Sequence, residues 1–415
     1  MSSSRRLSIT ERDDQAVDLP EKDLHHLASF EEITVSYAGD GQPRVSVSNH
    51  VGVIGLPSGN ILEIRPKASC NLLHYLAYVG DINDELVRGT DAAVSMGDSF
   101  VDLVARLYLD ELDTILKRGL NREYLVQESS EKHLRGQLDL QRQLQRQGVA
   151  PKKFECRYDE LSTETVLNKI LLDGLHRLRP LVTTSAIRSD VNRFYSRLQQ
   201  YVSHERMSVR DIESVSLTRL DEYYADALEL AKLIFKQIFV ADLGGHDRRV
   251  QSLLIDMETI FERLVYRAVR NIVSKESYEV KDGSIGHLVQ TESDRGLLQM
   301  YPDFWVVNKS NDIVFVGDAK WKTGTDPSRN DLYQIAAYQA KYGTPGMLVY
   351  PDLDSEMKDT YTYETPDGTT AGRGELQATE LQTGDIDAYS TFKETVEATL
   401  RKQLPGELTS TTAAI

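Results

Sequence analysis

Tyr301-Pro-Asp-Phe-Trp-Val-Val-Asn-Lys-Ser-Asn-Asp-Ile-Val-Phe-Val-Gly-Asp-Ala-Lys320 decides the reading of the chain. Two apolar runs, Leu297 to Val307 and Ile313 to Trp321, flank the polar turn Asn308-Lys-Ser-Asn-Asp312. The pattern predicts a strand, a tight turn and a second strand. A helical period follows from Asn330 to Tyr342, and then another apolar strand, Gly346-Met-Leu-Val-Tyr350. Such a succession predicts an α/β fold, a mixed sheet flanked by helices.

Working outward from that stretch, the polar residues fall at telling places. Side chains two apart on a strand share a face, so Asp318 and Lys320 point into one cleft. Asp303 joins them from the neighbouring strand. Gln334 and Tyr338 are four apart and share a helix face. Converging carboxylates can hold one or two Mg²⁺ ions, which activate a water and neutralise phosphate charge. A lysine beside them can orient the water or stabilise developing negative charge. Lys322, on the same face as Lys320 by alternation, is a supporting candidate.

Acid-x-Lys alone says little, because about three such tripeptides are expected from composition. The chain has Glu279-Val-Lys281, Asp318-Ala-Lys320 and Glu356-Met-Lys358. Only the middle one ends an apolar strand, follows a Pro-Asp and precedes a helix.

These residues resemble the PD-(D/E)xK nuclease superfamily, and Gln334-x-x-x-Tyr338 is similar to its RecB-like branch. More closely, they resemble the McrC family, the nuclease subunit of the McrBC modification-dependent restriction system. That family's Phe-Glu on the first nuclease helix is matched by Phe261-Glu262. Its Pro-Asp and Asp-Ala-Lys-Tyr-Lys are matched by Pro302-Asp303 and Asp318-Ala-Lys-Trp-Lys322. Asn330-Asp-Leu-Tyr-Gln334, Tyr350-Pro351, Val51-Gly-Val-Ile54 and Ile64-Arg-Pro-Lys67 also fit it. Trp321 departs from the family's usual Tyr.

The resemblance implies a Mg²⁺-dependent DNA endonuclease, with Mn²⁺ as an alternative ion. Asp303, Asp318 and Glu262 would be its metal ligands and Lys320 its catalytic lysine. It implies double-stranded DNA as substrate and an AAA+ GTPase ring of the McrB kind as partner. The chain itself has no G-x-x-x-x-G-K-[ST], the loop that would cradle a nucleotide. Partner binding is expected at the turn Pro57-Ser-Gly-Asn60 (Pro57, Ser58, Gly59, Asn60), between the strand-like runs Val51–Gly55 and Ile61–Ile64. Two other readings stay open: a self-sufficient RecB-like repair nuclease, and a non-catalytic regulator of an AAA+ partner.

Elsewhere the N-terminal region reads as β-rich and partly helical. Ile33–Tyr37 and Arg44–Ser48 alternate, Leu72–Val79 reads as a short helix, and Ser99–Arg118 as a long amphipathic one. A helical middle follows in Thr163–Leu178, Val191–Tyr201 and Leu220–Phe239. The pattern breaks at Leu243-Gly-Gly-His-Asp247, and Leu253–Ser274 reads as a helix. The expected division is a disordered tail over 1–20, a partner-binding domain over 21–150, the helical middle over 151–245, the nuclease domain over 246–405 and a tail over 406–415.

A net charge of −16 over 415 residues disfavours a uniformly DNA-binding surface. Charge is uneven, however. Between Glu131 and Arg157 stand Lys132, Arg135, Arg142, Arg146, Lys152, Lys153 and Arg157 against three acids, a candidate nucleic-acid or partner surface. With 2 cysteines, neither a disulfide framework nor a zinc cage is available. No run of apolar residues is long enough for a transmembrane helix, and no secretory signal is apparent. A cytoplasmic protein is expected.

Overall fold

The alternation around Pro57 becomes an antiparallel pair, His50–Gly55 with Ile61–Arg65, in which Gly52 faces Ile64 and Gly55 faces Ile61. The computed structural model describes residues 5–84, 87, 99–146, 152–242, 249–290, 296–322, 324, 326–352, 360–364, 373–381, 383–384, 386 and 388–409. His50–Gly55 also pairs antiparallel with Arg249–Asp256, nearly two hundred positions downstream. At Gly52 a Cβ would lie 2.0 Å from the Leu253 carbonyl oxygen, so only glycine lets these strands approach.

That long-range pairing decides the division of the chain. Contacts define one compact unit from residues 1–100 with 242–415, and a second from residues 101–241. The expected boundaries at 150 and 245 follow changes in local pattern, whereas this division follows strand pairing across the intervening segment.

In the first unit, Arg6–Thr10 pairs parallel with Ile61–Arg65. This corrects the expectation of a disordered tail through residue 20. Ile9 reaches a core containing Ile54, Leu62 and Leu254, and Arg6 Nε donates to the buried Glu63 at 3.0 Å. Gln15–Ala16, Pro43–Val47 and Ile33–Tyr37 make a small antiparallel sheet on the same core. At the other end, Gly406–Thr409 is a helical turn with Leu408 buried, where a tail was expected. Residues 1–4 and 410–415, the break at 243–247 and part of the basic segment lie outside the described residues.

The first unit also carries a six-stranded mixed sheet, in the order Tyr278–Lys281, Phe304–Asn308, Ile313–Ala319, Gly346–Pro351, Arg373–Leu381, Thr360–Glu364. The first three pair antiparallel, and Ile313–Ala319, Gly346–Pro351 and Arg373–Leu381 run parallel. Helix Arg329–Tyr342 makes the crossover and buries Ile335 and Tyr338 against Val316 and Leu348.

Two expected elements divide. The apolar run from Leu297 splits at Tyr301-Pro-Asp303: Gly296–Met300 forms a hairpin with Gly286–Gln290, while Phe304–Asn308 enters the large sheet. Proline lacks the N–H that a continuous ladder would use. The helix expected from Leu253 instead begins at Met257, because Asp256 accepts hydrogen bonds from the N–H groups of Glu258 and Thr259 as its N-cap. Leu253, Leu254 and Ile255 are buried strand residues.

The second unit is not purely helical. Glu123–Glu131 pairs antiparallel with Phe154–Ser162, and Gln137–Leu138 adds a short third strand. Helices Val166–Leu178, Ser185–Leu198, Val209–Glu213 and Ala225–Gln237 follow. Asp173 is buried among Arg177 Nε at 3.0 Å, His204 Nε2 at 3.0 Å and the Met207 amide at 3.1 Å. Among the described residues no helix is long and apolar enough to cross a membrane.

Candidate active site

Strand register brings the two aspartates together. Phe304 faces Gly317, so Asp303 and Asp318, next along each chain in opposite senses, fall side by side. A Cβ on Gly317 would lie 2.0 Å from Phe304 Cζ; the strands can close only over a residue without one. Asp303 Oδ2 accepts the Ala319 N–H at 2.6 Å. Lys320 continues the ladder, its N–H donating to the Val349 carbonyl at 2.7 Å. Its Nζ lies 2.5 Å from Asp318 Oδ2, with the Asp318 side chain wholly buried and that of Lys320 13% exposed.

Glu262 reaches this group from the second turn of helix Met257–Ile272. Burial first, and then the charges of Glu258 and Asp318, push its carboxyl up to about 7, against the pull of Lys320. Asp303 is pushed up to about 9 by burial and by the nearby Asp318 and Glu262. Burial also raises Asp318, opposed by Lys320 and by Asp303. Burial would lower Lys320, but Asp318 and Asp303 outweigh it and hold the ammonium above its ordinary value. A positive charge brought beside carboxylates that resist ionising together would favour their charged form.

Gln334 and Tyr338 share a helix face as expected, and Gln334 Nε2 donates to the Tyr338 hydroxyl at 2.9 Å. Burial raises Tyr338, the Gln334 hydrogen bond lowers it, and the charge of Asp318 adds to the rise.

Lys322 stands apart. Its Nζ lies 2.5 Å from Asp331 Oδ1, and Asp331 Oδ2 accepts the Tyr350 hydroxyl at 3.0 Å. Although burial would raise Asp331, hydrogen bonds from Lys322, Ser328 and Tyr350 hold it below its ordinary value. Lys322 therefore locks the strand end to helix Arg329–Tyr342.

Of the other acid-x-Lys tripeptides, Glu279 and Lys281 pair at 3.4 Å on an outer strand. Glu356-Met-Lys358 lies outside the described residues.

Among the described residues no group of three or more His, Cys, Asp and Glu side chains is placed to hold one metal ion together. Mg²⁺ does not require three, since it keeps waters and takes substrate phosphate oxygens beside one or two carboxylates. Oδ2 of the buried Asp318 faces the Lys320 ammonium, while Oδ1 has no hydrogen bond of good geometry and so has lone pairs to offer a cation. The Asp303–Asp318 pair fits such an ion, with Glu262 in electrostatic range.

Residues that the motif did not single out also matter here. Glu258 lies one helical turn before Glu262, a spacing visible in the sequence. Asp331 and Tyr350 stood in quoted segments without a role. Lys67 likewise ended the family-matched segment Ile64-Arg-Pro-Lys67 without a role, whereas Glu11 and Asn49 gave no signal linking them to Trp321 and Glu258.

The turn Pro57–Asn60 is fixed from beneath. The Ser58 N–H donates to Asp23 Oδ1 at 2.9 Å and its hydroxyl to Asp23 Oδ2, while the Asn60 side chain accepts the Arg5 N–H at 3.0 Å.

Fold and site together define a mixed α/β protein with an Asp–Asp–Lys cluster at adjoining strand ends. A family model described as McrBC 5-methylcytosine restriction system component matches residues 45–351, and the chain belongs to that family. Among solved structures, the chain is similar to one in a refined half-complex from a tetradecameric assembly of Thermococcus gammatolerans McrB AAA+ hexamers with bound McrC. Identity there is 17%, covering 95% of this chain and 99% of that one, with a TM-score of 0.65. The likeness is one of fold. A chain of the Thermococcus gammatolerans McrBC complex matches at 19% identity over 65% of this chain and 88% of its own, with a TM-score of 0.45. No curated protein matches the chain in sequence.

Proposed function

We propose that the chain is the DNA-cutting subunit of an McrBC-type restriction system, with a PD-(D/E)xK site in its C-terminal half. The observation that carries this reading is the convergence of Asp303, Asp318 and Lys320 at adjoining strand ends, with Glu262 in electrostatic range. Asp303 and Asp318 would hold Mg²⁺ or Mn²⁺. A bound divalent ion supplies Lewis-acid activation of a water and neutralises charge on the scissile phosphate. Lys320, held charged by its carboxylate neighbours, places a positive group where negative charge develops. Gln334 orients the Tyr338 hydroxyl beside the cluster, and Lys322 with Asp331 fixes the strand end.

The chain's family and its lack of a nucleotide-binding loop support a partner that supplies nucleotide hydrolysis, an AAA+ GTPase ring of the McrB kind. Of the turn Pro57–Asn60, only Gly59 is exposed. The second unit leaves Tyr124 73%, Leu134 58%, Leu140 66% and Leu144 64% exposed, and Leu140 and Leu144, four apart on helix Leu140–Arg146, share one face that a protein contact could cover. We infer that the second unit makes the principal partner contact and the turn a secondary one.

The test is cleavage of 5-methylcytosine-containing DNA by the chain with the ring, GTP and Mg²⁺, beside an Asp318→Ala chain. Cutting by the wild type alone points to the self-sufficient repair nuclease. No cutting in any combination, with ring hydrolysis still stimulated, points to the non-catalytic regulator.

A further inference from the structure

We propose that Lys67 is a positioning residue of this site, gripping the peptide that follows Lys320 and tying it to the helix that carries Glu262. The inference rests on the nuclease reading above.

Lys67 follows the strand Ile61–Arg65, and its side chain, 7% exposed, turns inward. Its Nζ donates to the Trp321 carbonyl at 2.7 Å and to Asn49 Oδ1 at 3.1 Å, with Glu11 Oε2 at 3.9 Å. The Trp321 indole N–H donates to Glu11 Oε1 at 2.9 Å, and the Lys67 ammonium stands 5.5 Å from the ring centre. The Lys322 N–H donates to the Lys320 carbonyl at 2.8 Å, closing a three-residue turn about Trp321. That turn is therefore held by its carbonyl and by its indole, by residues just past the paired strands Arg6–Thr10 and Ile61–Arg65.

The same node reaches the helix. Asn49 Nδ2 donates to Glu258 Oε2 at 2.5 Å, one turn before Glu262. Through Asn49 and Lys67, the strand end bearing Asp318 and Lys320 and the helix bearing Glu262 share one anchor.

Energetics favour a geometric role. An ammonium buried with a carboxylate recovers little more than its desolvation cost, and apolar replacements are often as stable. What the arrangement supplies is a fixed position for the backbone beside Lys320. Displacements of about 1 Å from remote changes can cost on the order of 10²-fold in rate.

The test compares Lys67→Met, Lys67→Arg and Asn49→Ala chains with wild type, each with the ring, GTP, Mg²⁺ and methylated DNA. Lys67→Met is expected to lower kcat by about 10- to 100-fold at unchanged KM, with unchanged stimulation of ring hydrolysis, and Lys67→Arg to restore part of the loss. Hydrogen exchange at the Lys320–Lys322 amides is expected to quicken about tenfold in Lys67→Met and Asn49→Ala, while Val306 and Leu348 keep their wild-type rates. Wild-type kcat in a folded Lys67→Met chain, or exchange that quickens evenly across the sheet, overturns the proposal. If Lys67→Met does not fold, Asn49→Ala decides by the same two readouts. Absence of cutting by wild type defeats the nuclease reading instead, and the exchange pattern still decides whether Lys67 holds the turn.

Discussion

Asp303 Oδ2 accepts the backbone N–H of Ala319 at 2.6 Å, so the first aspartate is tied to the peptide between the second aspartate and the lysine. The bond uses one oxygen of Asp303 to fix the relative height of two strand ends and leaves the other for a ligand. It also makes Asp303 two things at once, a candidate ligand and a strut, which substitutions can separate.

Asp303→Asn keeps an acceptor for Ala319 and removes the charge; Asp303→Ala removes both. Each is expected to lower DNA cleavage at least ~10²-fold, as loss of a metal ligand does. Only Asp303→Ala should also quicken exchange of the Ala319 amide. Asp318→Ala and Lys320→Ala should lower cleavage at least as far, while Lys322→Ala should retain most of it and melt at a lower temperature. Cleavage rates and melting curves on the five chains check this, and a dead, fully stable Lys322→Ala would reassign the lysines.

The carboxylates predict a pH dependence when metal is withheld. Asp303 is pushed up from 3.8 to about 9 and Glu262 from 4.5 to about 7, both chiefly by burial. Above the unfolded carboxyl values the native state binds more protons than the unfolded one, so stability falls as pH rises. In EDTA the melting temperature should decline between about pH 4 and pH 9. Asp303→Asn should flatten the upper part of that slope, and Mg²⁺ should raise stability most at high pH by binding the ionised form. A metal-free melting temperature that rises over this range would contradict the arrangement of the three acids.

Gly317→Ala puts a methyl group where Phe304 Cζ now stands, 2.0 Å away. Overpacking of this kind costs about 1–3 kcal/mol and here pushes apart the strands that bring Asp303 to Asp318. Stability and cleavage should both fall, and adding Phe304→Leu should return part of the stability. Urea denaturation of the single and double variants is the measurement; no loss in Gly317→Ala would mean the strands close differently.

Much of this site was legible in local pattern. Asp303, Asp318 and Lys320 could be placed because strand alternation and a short turn dictate which side chains meet. Lys322 was misleading for the same reason: alternation assumes that the strand continues past Ala319, but the chain turns at Trp321. Leu253–Ile255 read as helix because an apolar run joins smoothly to the helical period of Ile260 and Leu264, and only the Asp256 cap marks the change. Arg6–Thr10 and the interrupted first unit were invisible, since both depend on partners distant in sequence. Lys67 ends a family-matched segment to which no role attached, Asn49 and Glu11 lie outside any motif, and tertiary structure alone brings the three together beside Trp321.

The last prediction separates cutting from partner engagement. If the second unit makes the principal contact, Leu140→Ser with Leu144→Ser, which stand one helical turn apart on an exposed face, should weaken binding to the GTPase ring and lower its stimulated hydrolysis. Fully burying a leucine contributes about 1.5–3 kcal/mol, so removing two from an interface should weaken affinity by about tenfold or more. Deleting Pro57–Asn60 should have a smaller effect on the same readouts, because the turn exposes little apolar surface. Asp318→Ala should stimulate hydrolysis like wild type, since its side chain is wholly buried and offers nothing to a partner's surface. Binding measured by light scattering and hydrolysis measured by phosphate release give the two readouts. Wild-type binding by the double-leucine chain, with loss in the turn deletion, would move the principal contact back to Pro57–Asn60. The assignment of Asp303, Asp318 and Lys320 would be untouched, because it rests on strand register and on charge.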